Sequence, residues 1–364
     1  MKISEILSVL EKWAPPAYQE SYDNAGLICG DSNREITGAL VCLDSVEETI
    51  DEAIELNCNL IIAHHPIVFS GIKKLTGKNY VQRTLIKAIK NDIAIYAAHT
   101  NLDSIQTGVN LKIGELLNID SPEILLPKPN SLMKLVTYCP TSESNKIRTA
   151  LFEAGAGQLG NYNSCSFNTE GEGTFKGLEK SNQYVGNKHE LHTESETKIE
   201  VILEKHLSHK IVNALIKNHP YEEVAYELYD LQNDNSYVGA GMIGELEQEI
   251  TLGEFFDQVK ATFNLKVIRH TGNLNQKIRR ISWCGGSGSF LLNQAKRKKS
   301  DIFITGDFKY HEFFDHENQI VIADIGHYES EQFTQQLIVD FLKKNFNKFA
   351  VHLTGHNTNP VNYY

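Results

Sequence analysis

Asn59-Leu-Ile-Ile-Ala63-His64-His65-Pro66 is a short apolar run closed by two imidazoles and a proline. A run of this length reads as a buried strand of an open α/β sheet. The C-terminal ends of such strands face the crevice where ligands bind. Two further runs end in the same way. Ile93 to Ala98 leads into His99-Thr-Asn-Leu-Asp103, and Gln319-Ile-Val-Ile-Ala-Asp-Ile-Gly326 leads into His327-Tyr-Glu-Ser-Glu331. Three strands thus deliver His, Asp or Glu at equivalent places, where imidazoles are well sited to hold a metal.

Around these runs, strands alternate with helices. An amphipathic helix ends near Trp13, Ala39 to Leu43 reads as a strand, and Val46 to Leu56 and Tyr80 to Lys90 read as helices. That order predicts a mainly parallel, doubly covered sheet. From about Met242 the same style resumes, with strands at Val267 to His270, Ile281 to Cys284, Asp301 to Thr305 and Ile320 to Ala323. The first and last thirds are therefore expected to share one sheet.

The middle has a different grammar. Strand (Lys134 to Tyr138), helix (Ser142 to Gly155), strands around Ser164 to Phe167 and Thr174 to Leu178, strand (Lys198 to Glu204), helix (His206 to His219) and strand (Glu222 to Tyr229) make a β-α-β-β-α-β series, the ferredoxin-like split unit. The polar stretch Gly186 to Glu196 between its halves reads as a surface loop. The expected architecture is an α/β host domain of residues 1–125 and 241–364 with an inserted ferredoxin-like α+β domain at 126–240.

The 364 residues carry a net charge of -11, which argues against nucleic-acid or anionic-membrane partners, since both need a positive surface. The basic run Lys296 to Lys299 reads as a solvated helix end. Six cysteines without a Cys-x-x-Cys pair argue against a zinc ribbon or a disulfide framework. With an early acid and no long apolar stretch at the N-terminus, neither signal peptide nor membrane span is expected, and a cytoplasmic protein is.

His64 and His65 are neighbours, and neighbouring strand residues point to different sides. One ion would not comfortably take both; two ions side by side would. Pro66 holds His65 in an extended conformation. The alternative is a chance loop pair. Asp103, four residues after His99, offers a carboxylate to a hard or borderline cation, with His99 as a further ligand or as a donor orienting one; an Asx-type turn cap is the plainer reading. His327 and Glu331 stand four apart at the start of an amphipathic helix, so both can face one point. Glu331 is our choice to bridge two cations, against a residue that merely complements the helix dipole.

Asp307, Tyr310 and His311 follow a strand and offer proton donors or acceptors, although ordinary loop polarity explains them equally well. Gly285-Gly286-Ser287-Gly288-Ser289 also follows a strand, an arrangement that lets backbone N–H groups meet a phosphate. It lacks the Gly-Lys-Ser/Thr of an ATPase loop, and a plain tight turn is the alternative. The candidate donors, imidazoles and carboxylates without a thiolate, suit Zn, Fe, Mn, Co or Ni.

In this order, with Asp23-Asn-Ala-Gly-Leu27, the motifs resemble the Nif-three-like family, the GTP cyclohydrolase I type 2 homologues. The resemblance implies two divalent metal ions: His65 and Asp103 serving one, His64 and His327 the other, and Glu331 both. The middle segment, through His219-Pro-Tyr221-Glu222-Glu223, is similar to CutA-like trimeric domains, and the long family members imply a toroidal homohexamer; the alternative is that these residues close the insert's own sheet. By the same resemblance the reaction is hydrolytic opening of the GTP imidazole ring with formate release. His99 or His311 would transfer protons, and Gly285, Gly286, Ser287 and Gly288 would hold the triphosphate. A phosphohydrolase or amidohydrolase acting on another small molecule, and a non-catalytic metal-binding or regulatory scaffold, are the competing expectations.

Overall fold

In the computed structural model, which describes residues 1–364, the run before His64 is one strand of a five-stranded sheet. Its members are β1 (Gly26–Cys29), β2 (Gly38–Cys42), β3 (Leu60–Ala63), β4 (Ala94–Ala97) and β15 (Ala350–Leu353), in the order β1-β4-β3-β2-β15. The four from β4 to β15 are parallel and β1 is an antiparallel edge. β2, β3 and β4 are buried throughout, which explains why they read as unbroken apolar runs. Their side chains still alternate between two cores. Leu40, Ile61 and Ile95 pack with Ile50 and Leu85, on the helices Glu47–Glu55 and Tyr80–Lys90. Val41, Ile62 and Tyr96 enter a larger cluster.

That larger cluster also takes up a second sheet. β5 (Asp120–Lys128), β10 (Asn235–Thr251), β11 (Arg269–His270), β12 (Lys277–Ser287), β13 (Ile302–Gly306) and β14 (Val321–Asp324) lie in the order β11-β14-β13-β12-β10-β5. β12, β13 and β14 are parallel, whereas β10 and β11 are antiparallel to their neighbours. The expectation of one mainly parallel sheet is thus corrected to two mixed sheets. Antiparallel strands flank the parallel set at β1 in the first sheet and at β10 and β11 in the second, while the other edge of the first sheet is the parallel β15. What joins the halves is side-chain packing. Residues of helices Ile3–Trp13, Val109–Leu116, Leu252–Phe263 and Thr334–Asn345 share a core with both sheets, and Trp13 stacks on Phe341 at 4.0 Å.

The chain divides into two compact units, Met1–Pro127 with Ser236–Tyr364, and Lys128–Asn235. The boundaries fall at 128 and 235 instead of 126 and 240 because β5 continues to Lys128 and β10 begins at Asn235. The second unit contains β6 (Leu132–Pro140), helix Ser144–Ala154, β7 (Phe167–Lys176), β8 (Leu191–Glu204), helix Ser208–Asn218 and β9 (Tyr226–Asp230). Its sheet order, β7-β8-β6-β9, is antiparallel at every pairing and is that of a split β-α-β-β-α-β unit. Two details differ from the sequence reading. β7 is one strand, not two, and β8 begins at Leu191, inside the stretch expected as a loop. Its residues from Leu191 to Glu196 never become fully buried, so polarity there reports exposure, while backbone pairing with β7 makes the strand. No helix of the chain is long and apolar enough to cross a membrane.

Candidate metal centre

The C-terminal ends of β3, β4 and β14 carry their titratable residues to one place. His64 is fully buried, and its Nδ1 lies 2.7 Å from the carbonyl oxygen of Ala98. A carbonyl only accepts, so Nδ1 holds the proton and Nε2 presents a lone pair. That Nε2 is 3.6 Å from Asp103 Oδ1 and 3.6 Å from Glu331 Oε1, too far for hydrogen bonding. Both His64 Nε2 and Asp103 Oδ1 are buried without a hydrogen-bond partner.

The other two histidines repeat this construction. His65 directs Nδ1 to Asp44 Oδ1 at 2.8 Å and Nε2 to Glu331 Oε2 at 2.9 Å. His327 directs Nδ1 to Asp307 Oδ2 at 2.7 Å, while its Nε2 lies 3.1 Å from Glu331 Oε2 and 3.3 Å from His65 Nε2. Each ring therefore has one nitrogen anchored by an oxygen and the other aimed inward, the arrangement that orients metal-ligating histidines. His64, His65 and Glu331 offer ligand atoms all within 4.8 Å of one another.

Glu331 divides the donors. Its Oε1 faces His64, which also faces Asp103, and its Oε2 faces His65 and His327. These side-chain distances group the donors differently from the ion assignment that the resemblance implies, His65 with Asp103 and His64 with His327. The cause is the alternation of the two neighbours at the end of β3. His64 turns towards the segment after β4, and His65 turns towards Asp44, just past β2.

The charges are unevenly placed. Burial acts to raise the Glu331 carboxyl, but the imidazoles of His327, His64 and His65 gathered around it outweigh burial and hold the group well below its usual range. Burial, reinforced by Glu331, pushes Asp103 well above. Burial lowers His64, whereas in His65 the pull of Asp44 and Glu331 overcomes burial and raises it to about 9. His327, beside Asp307 and Glu331, is raised to about 11 against the same opposition. The residues fit divalent cations: nitrogen and carboxylate donors without thiolate, and the buried, unpartnered His64 Nε2 facing the buried Asp103 Oδ1 at 3.6 Å.

His99 Nδ1 is 2.7 Å from Asp23 Oδ1, and Asp23 also accepts the Thr100 N–H and hydroxyl. Its ring stands edge-on to those of His64 and His65, at 5.4 and 5.5 Å. All of these residues except His64 and Asp23 border a cleft of about 700 Å³, together with Tyr22, Phe69, Arg269 and Phe290.

Two expectations change. The glycine loop does not offer its N–H groups to a phosphate: Gly285 donates to Asn110 Oδ1, Gly286 to Ser330 Oγ and Gly288 to Thr305 Oγ1. It makes room instead. Gly286 has φ +62°, and a Cβ there would overlap Glu331 Oε1; Ser287 lies on the cleft wall. His311 is exposed, with its ring against Tyr310 and Phe314, and does not line the cleft. Asp307 joins the centre, through His327. In the second unit, His219 binds the Tyr138 carbonyl and the Tyr221 N–H, and Tyr221 donates to Glu196, so this motif closes its own unit. Asp44 escaped the sequence reading, although it follows the apolar run Ala39 to Leu43 and so carries the same signal as the others.

Residues 1–360 match the family model described as Duf34/NIF3 (NGG1p interacting factor 3). A protein of Halalkalibacterium halodurans named GTP cyclohydrolase 1 type 2 homolog is 40% identical over 349 residues, covering 94% of both chains. A protein of the same name from Bacillus subtilis is 36% identical, covering 99% of this chain and 98% of its own. Among solved structures, a Bacillus cereus protein related to NIF3 superposes with a TM-score of 0.87 at 36% identity, over 100% of this chain and 99% of its own. A Staphylococcus aureus protein does so with a TM-score of 0.80 at 30% identity, over the same shares.

Proposed function

The chain belongs to the Duf34/NIF3 family, and from that premise we propose that it is a hydrolase working with two divalent metal ions, with ring opening of GTP as the first reaction to test. The observation that carries the reading is the pair of buried, unpartnered atoms, His64 Nε2 and Asp103 Oδ1, facing each other 3.6 Å apart beside Glu331. Left as they are, each costs about 1–3 kcal/mol; a cation between them removes that cost. One ion would be held by His64, Asp103 and Glu331, and the other by His65, His327 and Glu331. Ions bound there would supply Lewis acidity and bring the pKa of a water towards neutrality.

The chain's own groups do the remaining work. Ala98, Asp44 and Asp307 fix the tautomers of the three ligand histidines. His99, with Nδ1 held by Asp23, is the group placed to take up or release a proton on the cleft side. Tyr22, Phe69 and Phe290 are exposed aromatic rings on the cleft wall, suited to a planar heterocycle. The relatives' shared name supports GTP as the first substrate to try. The same reading includes a hexamer in a cytoplasmic setting, checked by light scattering on the purified chain.

The test is metal content per chain and formate release from GTP, for the wild type and for Glu331→Ala. About two ions per chain, falling to one or none in the variant, together with formate that depends on them, is the expected result. Bound metal without formate removes GTP and leaves the hydrolase to a wider substrate screen; a wild type that binds no metal overturns the reading.

A further inference from the structure

Residues 354–364, which follow β15, have no regular secondary structure, yet side chains fasten them beside the metal centre. The Thr354 N–H donates to the Val41 carbonyl at 2.9 Å, and Gly355 donates to Glu52 Oε1 at 2.8 Å. Two successive Asx turns then shape the path: Asn357 Oδ1 accepts the Asn359 N–H, and Asn359 Oδ1 accepts the Val361 N–H, both at 3.0 Å. Between them, Thr358 Oγ1 donates to Asp44 Oδ2 at 2.7 Å. Asn359 Nδ2 also donates to Glu329 Oε1 at 3.2 Å, on the helix that carries His327 and Glu331. Val361 and Tyr363 line the cleft.

We infer that this segment is a working part of the metal centre, and that Thr358 is a positioning residue acting through Asp44 on His65. The inference rests on the metal-binding reading above. Asp44 uses its two oxygens differently: Oδ1 receives His65 Nδ1 and Oδ2 receives the Thr358 hydroxyl. A carboxylate held at one oxygen can swing about its bond, whereas one held at both has its plane set. The plane of Asp44 sets the imidazole of His65, whose Nε2 meets Glu331 Oε2. Asp44 is a third exposed, so without Thr358 its Oδ2 would turn to water and the ring would lose its fixed direction. Outer partners of this kind typically change metal affinity by about 10–100-fold. Thr358 stands one step further out, and about tenfold is expected.

The experiment uses cobalt(II) as the probe on the full-length chain, with affinity read by competition with a chelator and site geometry by the visible absorption of the bound ion. Thr358→Val keeps the shape and removes the hydroxyl; Thr358→Ser restores it. The expected result is that Thr358→Val weakens one of the cobalt equivalents about tenfold and shifts its spectrum, that Thr358→Ser behaves as wild type, and that the metal-free proteins melt alike. Asp44→Asn should weaken the same equivalent further, and adding Thr358→Val to it should change nothing more, because both act through one carboxylate. A Thr358→Val protein with wild-type affinity and spectrum, or a serine variant that behaves like the valine one, overturns the inference while leaving the metal centre standing. A wild type that takes up no cobalt overturns both.

Discussion

Gly286 shows how a single position can decide whether the centre exists. Its φ of +62° is in the left-handed region, and the space where a Cβ would stand is filled by Glu331 Oε1. Gly286→Ala should therefore displace the carboxylate that both groups of histidines face. Backbone strain of this kind costs about 1–3 kcal/mol, so we expect a lower denaturant midpoint and metal content reduced to one ion per chain or fewer; unchanged metal content would show that Glu331 has another place to go. His64→Ala tests the buried donor. It removes the Nε2 that faces Asp103 and should lose one ion while His65, His327 and Glu331 keep the other, as metal analysis would read. These residues are legible in the sequence because strand ends and helical i, i+4 spacing announce them. Which glycine must be glycine is not, since that depends on a carboxylate arriving from 45 residues later in the chain.

Among the elements, the helix Val109–Leu116 ties the Asp103 segment to the end of β12. Asn110, nearly fully buried, donates from Nδ2 to the Asp103 carbonyl, accepts the Gly285 N–H at Oδ1, and accepts the Trp283 indole N–H at its own carbonyl. Asn110→Ala leaves the Gly285 N–H and the Asp103 carbonyl without this partner. At about 1–3 kcal/mol for each buried unsatisfied group, a loss of about 2–6 kcal/mol is expected in chemical denaturation; a loss below about 0.5 kcal/mol would show that water replaces the side chain. The helices Glu47–Glu55 and Tyr80–Lys90 are readable from apolar spacing alone, because each buries one face on the sheet. The start of β8 is not, because no buried face marks it and only its ladder with β7 defines it.

On the scale of the whole molecule, the unit Lys128–Asn235 has a core of its own, built around Leu135, Ile147, Ile199 and Ile211. The chain leaves and re-enters the other unit through β5 and β10, which are neighbours in one sheet. Joining residue 127 to residue 236 through a short turn should thus give a folded chain that binds as many metal ions as the full protein, as circular dichroism and metal analysis would show. A variant that does not fold would mean that the host unit depends on the insert. Strand and helix periodicity and the change of grammar near residues 126 and 240 make an α/β host and a β-α-β-β-α-β insert legible, and motif spacing marks His64, His65, Asp103, His327 and Glu331 but not Asp44, because burial and backbone geometry impose those patterns locally. The pairing of His64 with Asp103 and of His65 with His327, the two sheets where one was expected, the spent N–H groups of the glycine loop, and the reach of Thr358 to Asp44 needed the folded chain, because each depends on direction and distance between atoms far apart in sequence.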